Sequence, residues 1–324
     1  MLALKKPARR VVFPRYCFLD SARHISMNET DAIARRQALT LFGAAILGTN
    51  TRNYAHAERK RRVLLFTKSS GFEHDVVKQR DHGPSLCEAT LTKLGRIHGF
   101  EIIATKDGRV FDGDLAQYDA FFLFTTGNLT EAGTDKTPPM SARGKEVLLA
   151  AIRDGKGFLG VHSASDTFHS TGSRFETQEQ PDPYIAMLGG EFLSHGSQQE
   201  AQIKVVDPNF PGLEGLGASF SIKEEWYSLK NFSKDNHVLL VLETEGMHDS
   251  DYERPPFPIA WARKENKGRV YFNAMGHRDD VWMSERFQRM LAGAVAWTLG
   301  TEDAVLTANM SSVTPHGSVM PPDR

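Results

Sequence analysis

The residues best suited to chemistry follow an apolar run, Gly157 to Val161, and they read His162, Ser163, Ala164, Ser165, Asp166. An apolar run of this length predicts a buried strand, and the polar residues predict the loop that follows it. Buried donors and acceptors at a strand end need partners, and binding and catalytic groups are commonly placed there. Imidazoles and carboxylates are the usual general acids and bases, so His162 and Asp166 are candidate catalytic residues.

Further histidines lie after other apolar segments. His74 follows the first apolar run, His195 ends the stretch GGEFLSH, and His277 precedes Arg278 after the last apolar run. If these strands form one parallel sheet, their carboxyl ends meet at one edge and the side chains share a cleft. Imidazoles with carboxylates suit a divalent metal, for which His195 and His277 are the candidate ligands. The chain has neither HExxH nor CxxC spacing, and each single histidine also fits a surface or capping role.

Two carboxylates adjoin two aromatic rings in the stretch Glu224, Glu225, Trp226 and Tyr227. This combination suits a sugar, because sugar rings present apolar C–H faces to aromatic rings and hydroxyl edges to polar groups. Glu225 is therefore a third catalytic candidate. The candidate substrate-binding residues are His74, Trp226, Tyr227 and Arg278. For Trp226 a purely structural place in the core is an equal alternative.

Apolar and amphipathic segments alternate along the chain and predict the elements that position these residues. In the first half they predict strands at 63–67, 100–105, 118–124 and 157–161 and helices at 86–98 and 143–153. This alternation implies right-handed crossovers and a parallel sheet. The second half predicts strands at 201–206 and 238–243, an antiparallel pair at 258–263 and 268–273, and a helix at 284–299. We predict one domain over 58–300 and a loose tail over 301–324, where apolar residues are few.

The first 57 residues have the pattern of an export signal. Arg35 and Arg36 precede the apolar run ALTLFGAAIL, and an Ala-His-Ala sequence at 55–57 follows as a cleavage site. The arginine pair indicates a twin-arginine signal, although Ala34 and Ala38 stand where such signals favour serine and phenylalanine. A plain membrane anchor is a weaker alternative, because a span needs roughly 20 apolar residues. We therefore predict an exported protein, periplasmic or extracellular, without a membrane span in its mature chain.

The charge of the mature chain argues against nucleic-acid binding, and its cysteine content excludes an intramolecular disulfide. Without residues 1–57 the chain has 30 basic and 37 acidic side chains, a net charge of about −7 with His neutral. An acidic protein is a poor nucleic-acid binder, so no nucleic-acid partner is expected. Cys87 is then the one remaining cysteine, which excludes an intramolecular disulfide.

Six segments, in this order, resemble the ThuA-like family of trehalose-utilisation proteins in the class I glutamine amidotransferase-like superfamily. They are GFEH (71–74), GKGFLGVHSASDTF (155–168), MLGGEFLSH (187–195), EEWY (224–227), PIAWARKENKGRVYFNAMGH (258–277) and AWTLG (296–300). The resemblance implies an α/β, flavodoxin-like three-layer sandwich with a mainly parallel central sheet. It also implies a pocket formed by His74, His162, Asp166, His195, Glu225 and His277. Glu73 departs from the family, which more often has arginine there.

The resemblance also limits the reaction. Superfamily members that release ammonia from glutamine carry a cysteine nucleophile at the turn where this chain has His162. Histidine cannot form the thioester, so glutamine amidotransferase chemistry is not expected. The family implies carbohydrate metabolism, and we expect acid–base chemistry, with or without a divalent metal, on a glycoside or 3-keto-glycoside. His162 or Glu225 would be the base. The alternative is a sugar-binding or accessory protein without turnover.

Overall fold

A computed structural model of the protein describes residues 59–79 and 83–323. The predicted export signal, residues 1–57, lies outside the described residues. From Arg59 onward the chain forms one compact unit. Among the described residues, none of the helices combines the length and the apolar character that a membrane crossing requires.

The elements alternate between strands and helices in the first half of the chain and are mainly strands in the second. The strands are β1 (Arg61–Phe66), β2 (Phe100–Thr105), β3 (Ala120–Leu123), β4 (Gly157–Val161), β5 (Glu191–His195), β6 (Gln199–Val205), β7 (Ser219–Glu224), β8 (Tyr227–Lys230), β9 (His237–Glu243), β10 (Phe257–Glu265) and β11 (Gly268–Asn273). The α-helices are α1 (Leu86–His98), α2 (Ala142–Arg153), α3 (Pro183–Leu188), α4 (Asp279–Met283), α5 (Glu285–Leu299) and α6 (Met310–Val313).

The main sheet has a parallel half and an antiparallel half. Its strand order is β2-β1-β3-β4-β11-β10-β9-β6-β7, and β5 pairs separately with β8. All pairings from β2 to β11 are parallel, and all pairings from β11 to β7 are antiparallel. The predicted α/β class is confirmed, but the sheet is mixed rather than mainly parallel. The strand pairing changes from parallel to antiparallel at β10 and β11, because a short turn joins these two strands and can join only antiparallel neighbours.

Helix α5 supports the strands that end at the polar cluster. It packs against β4 and β11, and its buried face includes Phe287, Met290 and Leu291. The Ser284 hydroxyl begins the helix by accepting a hydrogen bond from the Phe287 amide at 3.2 Å. Gly300 ends it with a φ of 73°, a conformation that glycine adopts without strain. The carboxyl ends of β4 and β11 therefore rest on a capped, buried helix.

The most apolar strands and the longer amphipathic helices were predicted with the least error. The helix α1 and the strands β2, β4 and β11 have the predicted bounds, and the antiparallel pair of β10 and β11 is confirmed. The sequence did not predict β5, β7 or β8, or the short helices α3, α4 and α6. The strands β5, β7 and β8 mix polar with apolar residues and lack the continuous apolar run that identified β4, and the three helices are too short to establish a periodic pattern.

Residues 301–323, for which a loose tail was predicted, contact the main sheet. Asn309 Oδ1 accepts a hydrogen bond from the Val238 amide at 2.6 Å. Met310 packs with Val238 and Val241 in a small apolar cluster. The Gly317 carbonyl accepts a hydrogen bond from Arg254 Nη2 at 2.7 Å. The low apolar content did not indicate these contacts, because most of them are made by polar and backbone atoms.

Candidate metal centre

His162 lies at the sharp turn that ends β4. Its φ is +46°, a left-handed conformation that residues other than glycine rarely adopt and that concentrates at functional sites. Its Nδ1 lies 2.8 Å from the Ala274 carbonyl oxygen. A carbonyl only accepts, so Nδ1–H donates to it, and Nε2 is the ring nitrogen left for another partner. This Nε2 is buried and has no hydrogen-bond partner among the described residues.

His74 enters the same space from the loop after β1. Its ring is nearly perpendicular to the rings of His162 and His277, with centroid distances of 5.0 Å and 5.1 Å. Burial lowers the pKa of His74 well below its ordinary value, and the proximity of the His162 and His277 imidazoles acts in the same direction. The imidazole is therefore neutral. Its Nδ1 is also buried without a hydrogen-bond partner in the described part of the chain.

Glu225 faces the histidines with its carboxylate. Its Oε2 lies 2.9 Å from His277 Nδ1 and 3.5 Å from His162 Nε2. Although burial raises the pKa of Glu225, the neighbouring His162 and His277 hold it well below its usual range. The carboxylate is thus ionised. The 2.9 Å contact is close enough for an ion pair, but its geometry leaves His277 Nδ1 without a hydrogen bond.

Glu224 positions two members of this group. It is fully buried, and its Oε2 accepts a hydrogen bond from the Gly276 amide at 2.7 Å. Its Oε1 accepts a hydrogen bond from the Glu225 amide at 2.8 Å. Burial raises the pKa of Glu224. One carboxyl group therefore fixes both the residue before His277 and the backbone of Glu225, a role that the sequence pattern gave no means to predict.

The four residues His74, His162, Glu225 and His277 can each offer one donor atom, and these atoms lie within 4.8 Å of one another. Three imidazole nitrogens and one carboxylate oxygen form a donor set that suits Zn²⁺ and related divalent ions. Ligand atoms about 2.1 Å from a tetrahedral ion lie roughly 3.4 Å apart, so the widest pair would have to approach by up to about 1.4 Å to complete the site. The unpartnered buried nitrogens of all three histidines fit such an ion.

The predicted metal ligands and the four-residue group overlap only in part. His277 belongs to the group, whereas His195 lies outside it and beside it. Its Nδ1 is 3.6 Å from Glu225 Oε1 and 3.0 Å from the Gly196 carbonyl oxygen. The side chain of His195 is 44% exposed, so it lies on the open side of the group. His74, predicted to bind substrate, and His162 and Glu225, predicted to be catalytic, are the other members.

The remaining predicted site residues occupy different places. Asp166 Oδ1 contacts His169 Nε2 at 2.7 Å, and Asp166 is not among the four. Tyr227 is buried, and its ring lies 4.0 Å from that of His162. Trp226 has no exposed surface and donates from Nε1 to the Gln199 carbonyl at 3.0 Å. Arg278 lies next to the group, where it pairs with Asp280 at 2.9 Å.

The fold and the site together define an α/β protein with a candidate divalent-metal centre at the carboxyl edge of the parallel half-sheet. A family model described as ThuA, trehalose utilisation, matches residues 62–298. This chain belongs to the ThuA family, and the resemblance seen in the sequence is confirmed. No curated protein matches the chain.

Two solved structures share the fold. A putative ThuA-like protein from Bacteroides uniformis ATCC 8492 is 22% identical over 77% of this chain and 95% of its own, with a TM-score of 0.54. A second, from Parabacteroides merdae ATCC 43184, is 15% identical over 81% of this chain and 97% of its own, with a TM-score of 0.55. At these identities the likeness concerns the fold alone.

Proposed function

We propose that this protein is a metal-dependent enzyme of carbohydrate metabolism that cleaves a glycoside or 3-keto-glycoside. The observation that carries the proposal is the convergence of His74, His162, Glu225 and His277, whose donor atoms lie within 4.8 Å of one another. The family description, trehalose utilisation, supports the substrate class. A divalent ion held there would polarise a carbonyl or hydroxyl oxygen of the sugar as a Lewis acid.

The side chains around such an ion would have separate roles in metal binding and proton transfer. In a 3-keto-glycoside a base removes the proton next to the ketone, and the electron pair forms an enolate that needs stabilisation. The glycosidic C–O bond then breaks, and the leaving oxygen takes up a proton. His162 and Glu225, the bases expected from the sequence, would be ligands of such an ion. We therefore assign the proton transfers to His195, whose Nδ1 faces the Gly196 carbonyl, so that Nε2 is the nitrogen left for the substrate.

The test measures bound metal and turnover in parallel. We expect purified protein to bind about one divalent ion per chain, to convert 3-keto-trehalose, and to lose turnover with a chelator until metal is restored. His277→Ala and Glu225→Ala should each lower metal affinity by about 100-fold or more, because even residues that only orient ligands contribute 10–100-fold. His195→Ala should retain the metal and lose turnover. The exposed His98→Ala serves as the control.

Two results would contradict the proposal. One is a wild-type protein that binds no metal, and the other is turnover that persists unchanged after complete chelation. Saturable sugar binding without turnover would identify the sugar-binding protein that the sequence left as the alternative.

We also propose a flavodoxin-like three-layer arrangement and an exported location. The parallel strand order β2-β1-β3-β4-β11 supports the first, because it matches the flavodoxin-like order 2-1-3-4-5. A crystal structure would test the layers. The arginine pair and the cleavage pattern within residues 1–57 support the second. Mass spectrometry of the protein from its native cells would contradict export if residues 1–57 were intact on a chain found only in the cytoplasm.

A further inference from the structure

Two large apolar side chains are exposed beside the candidate metal centre. Phe72 is 65% exposed and Met283 is 60% exposed. Both line a cavity of about 370 Å³, and His277 forms part of its wall. A cavity of this size lies within the range of small-molecule sites, and grouped exposed apolar side chains mark binding surfaces.

The position of Phe72 is fixed by the protein. Its carbonyl oxygen accepts a hydrogen bond from Thr126 Oγ1 at 2.9 Å. Its ring meets the ring of His74 edge to face, with centroids 5.0 Å apart and planes at 89°. This geometry is the favoured one for aromatic pairs. The Phe72 ring therefore packs against His74, one of the four residues of the centre.

Met283 is also carried by an anchored element. It ends α4, and the neighbouring Trp282 is buried and donates from Nε1 to the Gly276 carbonyl at 2.7 Å. That hydrogen bond joins α4 to the residue that precedes His277. Met283 and His277 are therefore held at a defined separation, with the cavity between them.

The polar side of the cavity is formed by Arg278, Gln198 and the carboxylates of Asp75, Asp279 and Asp280. Arg278 donates from Nη1 to Gln198 Oε1 at 2.6 Å, and from Nε and Nη2 to the Asp280 carboxylate, each at 2.9 Å. A guanidinium has five N–H donors, so two remain for hydroxyl groups of a ligand. Apolar side chains on one side, with donors and carboxylate acceptors on the other, match the two kinds of surface that a sugar ring presents.

We propose that this cavity binds a sugar ring of the substrate, with its C–H face on Phe72 and Met283 and its hydroxyl groups on Arg278. The ring would then present its reacting carbon to the centre across His277. This inference rests on the proposed function for the substrate class, because the family and the centre identify a carbohydrate.

The experiment titrates the metal-treated full chain with trehalose and with 3-keto-trehalose, following binding by calorimetry. Phe72→Ala should weaken binding by roughly tenfold, as expected for loss of a central aromatic contact. Met283→Ala should weaken it less, and Phe72→Trp should retain it. Ile97→Ala removes an apolar side chain that is 63% exposed on α1, and it should bind like the wild type. Metal content and thermal unfolding, measured on each variant, show that only the cavity has changed.

The outcomes separate this proposal from the proposed function. Weakened sugar binding in Phe72→Ala with normal metal content supports the cavity, even if no turnover is found. Unchanged binding and turnover in Phe72→Ala and Met283→Ala would overturn the cavity and leave the proposed function standing. A wild-type protein that neither binds nor converts either sugar would overturn both.

Discussion

His169 differs from the histidines of the candidate metal centre because both of its ring nitrogens face carboxylates. Its Nε2 lies 2.7 Å from Asp166 Oδ1, and its Nδ1 lies 3.2 Å from Glu191 Oε1. The hydrogen bonds to Asp166 and Glu191 raise the pKa of His169 to about 9, although burial opposes them. His169 is therefore a cation at neutral pH. His74, which is buried among other imidazoles, is neutral.

This contrast predicts how stability depends on pH. A raised pKa contributes stability that is fully present below the unfolded value of 6.5 and is lost as pH rises through about 9. The difference in unfolding free energy between wild type and His169→Gln should therefore shrink from pH 6 to pH 9.5. Because the His169 side chain is 46% exposed, solvent screening limits the change to about 1 kcal/mol or less.

Urea unfolding at several pH values measures this difference. His98→Gln changes an exposed histidine on α1 and provides the control. A wild-type advantage over His169→Gln that stays constant from pH 6 to pH 9.5 would show that the two carboxylates do not hold the proton.

Among the secondary-structure elements, the parallel strands allowed the positions of the site residues at their ends to be predicted from the sequence. The continuous apolar run of β4 predicted both the strand and the position of His162 at its end. Glu225 is different, because it lies between two short strands, β7 and β8, that carry little pattern of their own. Its approach to His277 depends on pairing between distant segments of the antiparallel half. The sequence thus indicated the residue types of the site but not which of them meet.

The turn after β11 shows how an element positions a candidate ligand. Gly276 has a φ of 124°, and a Cβ there would lie 2.8 Å from Val161 Cγ1 of β4. Gly276→Ala must therefore move the backbone that carries His277. We expect the free energy of unfolding to fall by about 1–3 kcal/mol, from backbone strain and lost packing. We also expect metal affinity to fall by about tenfold or more, as for other residues that orient a ligand.

Gly246→Ala is a matched control for this variant. Gly246 also has a positive φ, 80°, but no atom lies within 4 Å of the position of its Cβ. The control should lose about 1 kcal/mol of stability to strain and leave metal affinity unchanged. Equal metal affinities in the two variants, measured by competition with a chromogenic chelator, would contradict a positioning role for Gly276.

Across the whole molecule, the C-terminal segment connects parts of the fold that are distant in sequence. The Arg254 guanidinium is buried, and this burial lowers its pKa to about 9. It donates to Ser228 Oγ at 2.8 Å and to the carbonyls of Leu229 and Gly317, each at 2.7 Å. Gly317 is thereby linked, through the Arg254 side chain, to the strand β8. The composition of this segment predicted a loose tail. Composition does not show that a backbone carbonyl, here that of Gly317, accepts a hydrogen bond from a buried guanidinium.

A chain that ends at Gly300 should therefore be less stable than the full chain. Truncation removes the Asn309 acceptor of the Val238 amide and the Gly317 acceptor of Arg254. Each buried donor left without a partner costs about 1–3 kcal/mol, so we expect the free energy of unfolding to fall by about 2–6 kcal/mol. Asn309→Ala should lose only the part of this free energy that comes from the Val238 amide. A chain ending at Pro322, which keeps both contacts, is the control. Urea unfolding measures all three. Equal midpoints for the full chain and the chain ending at Gly300 would mean that water replaces these acceptors without loss, and that residues 301–323 contribute nothing to holding the sheet together.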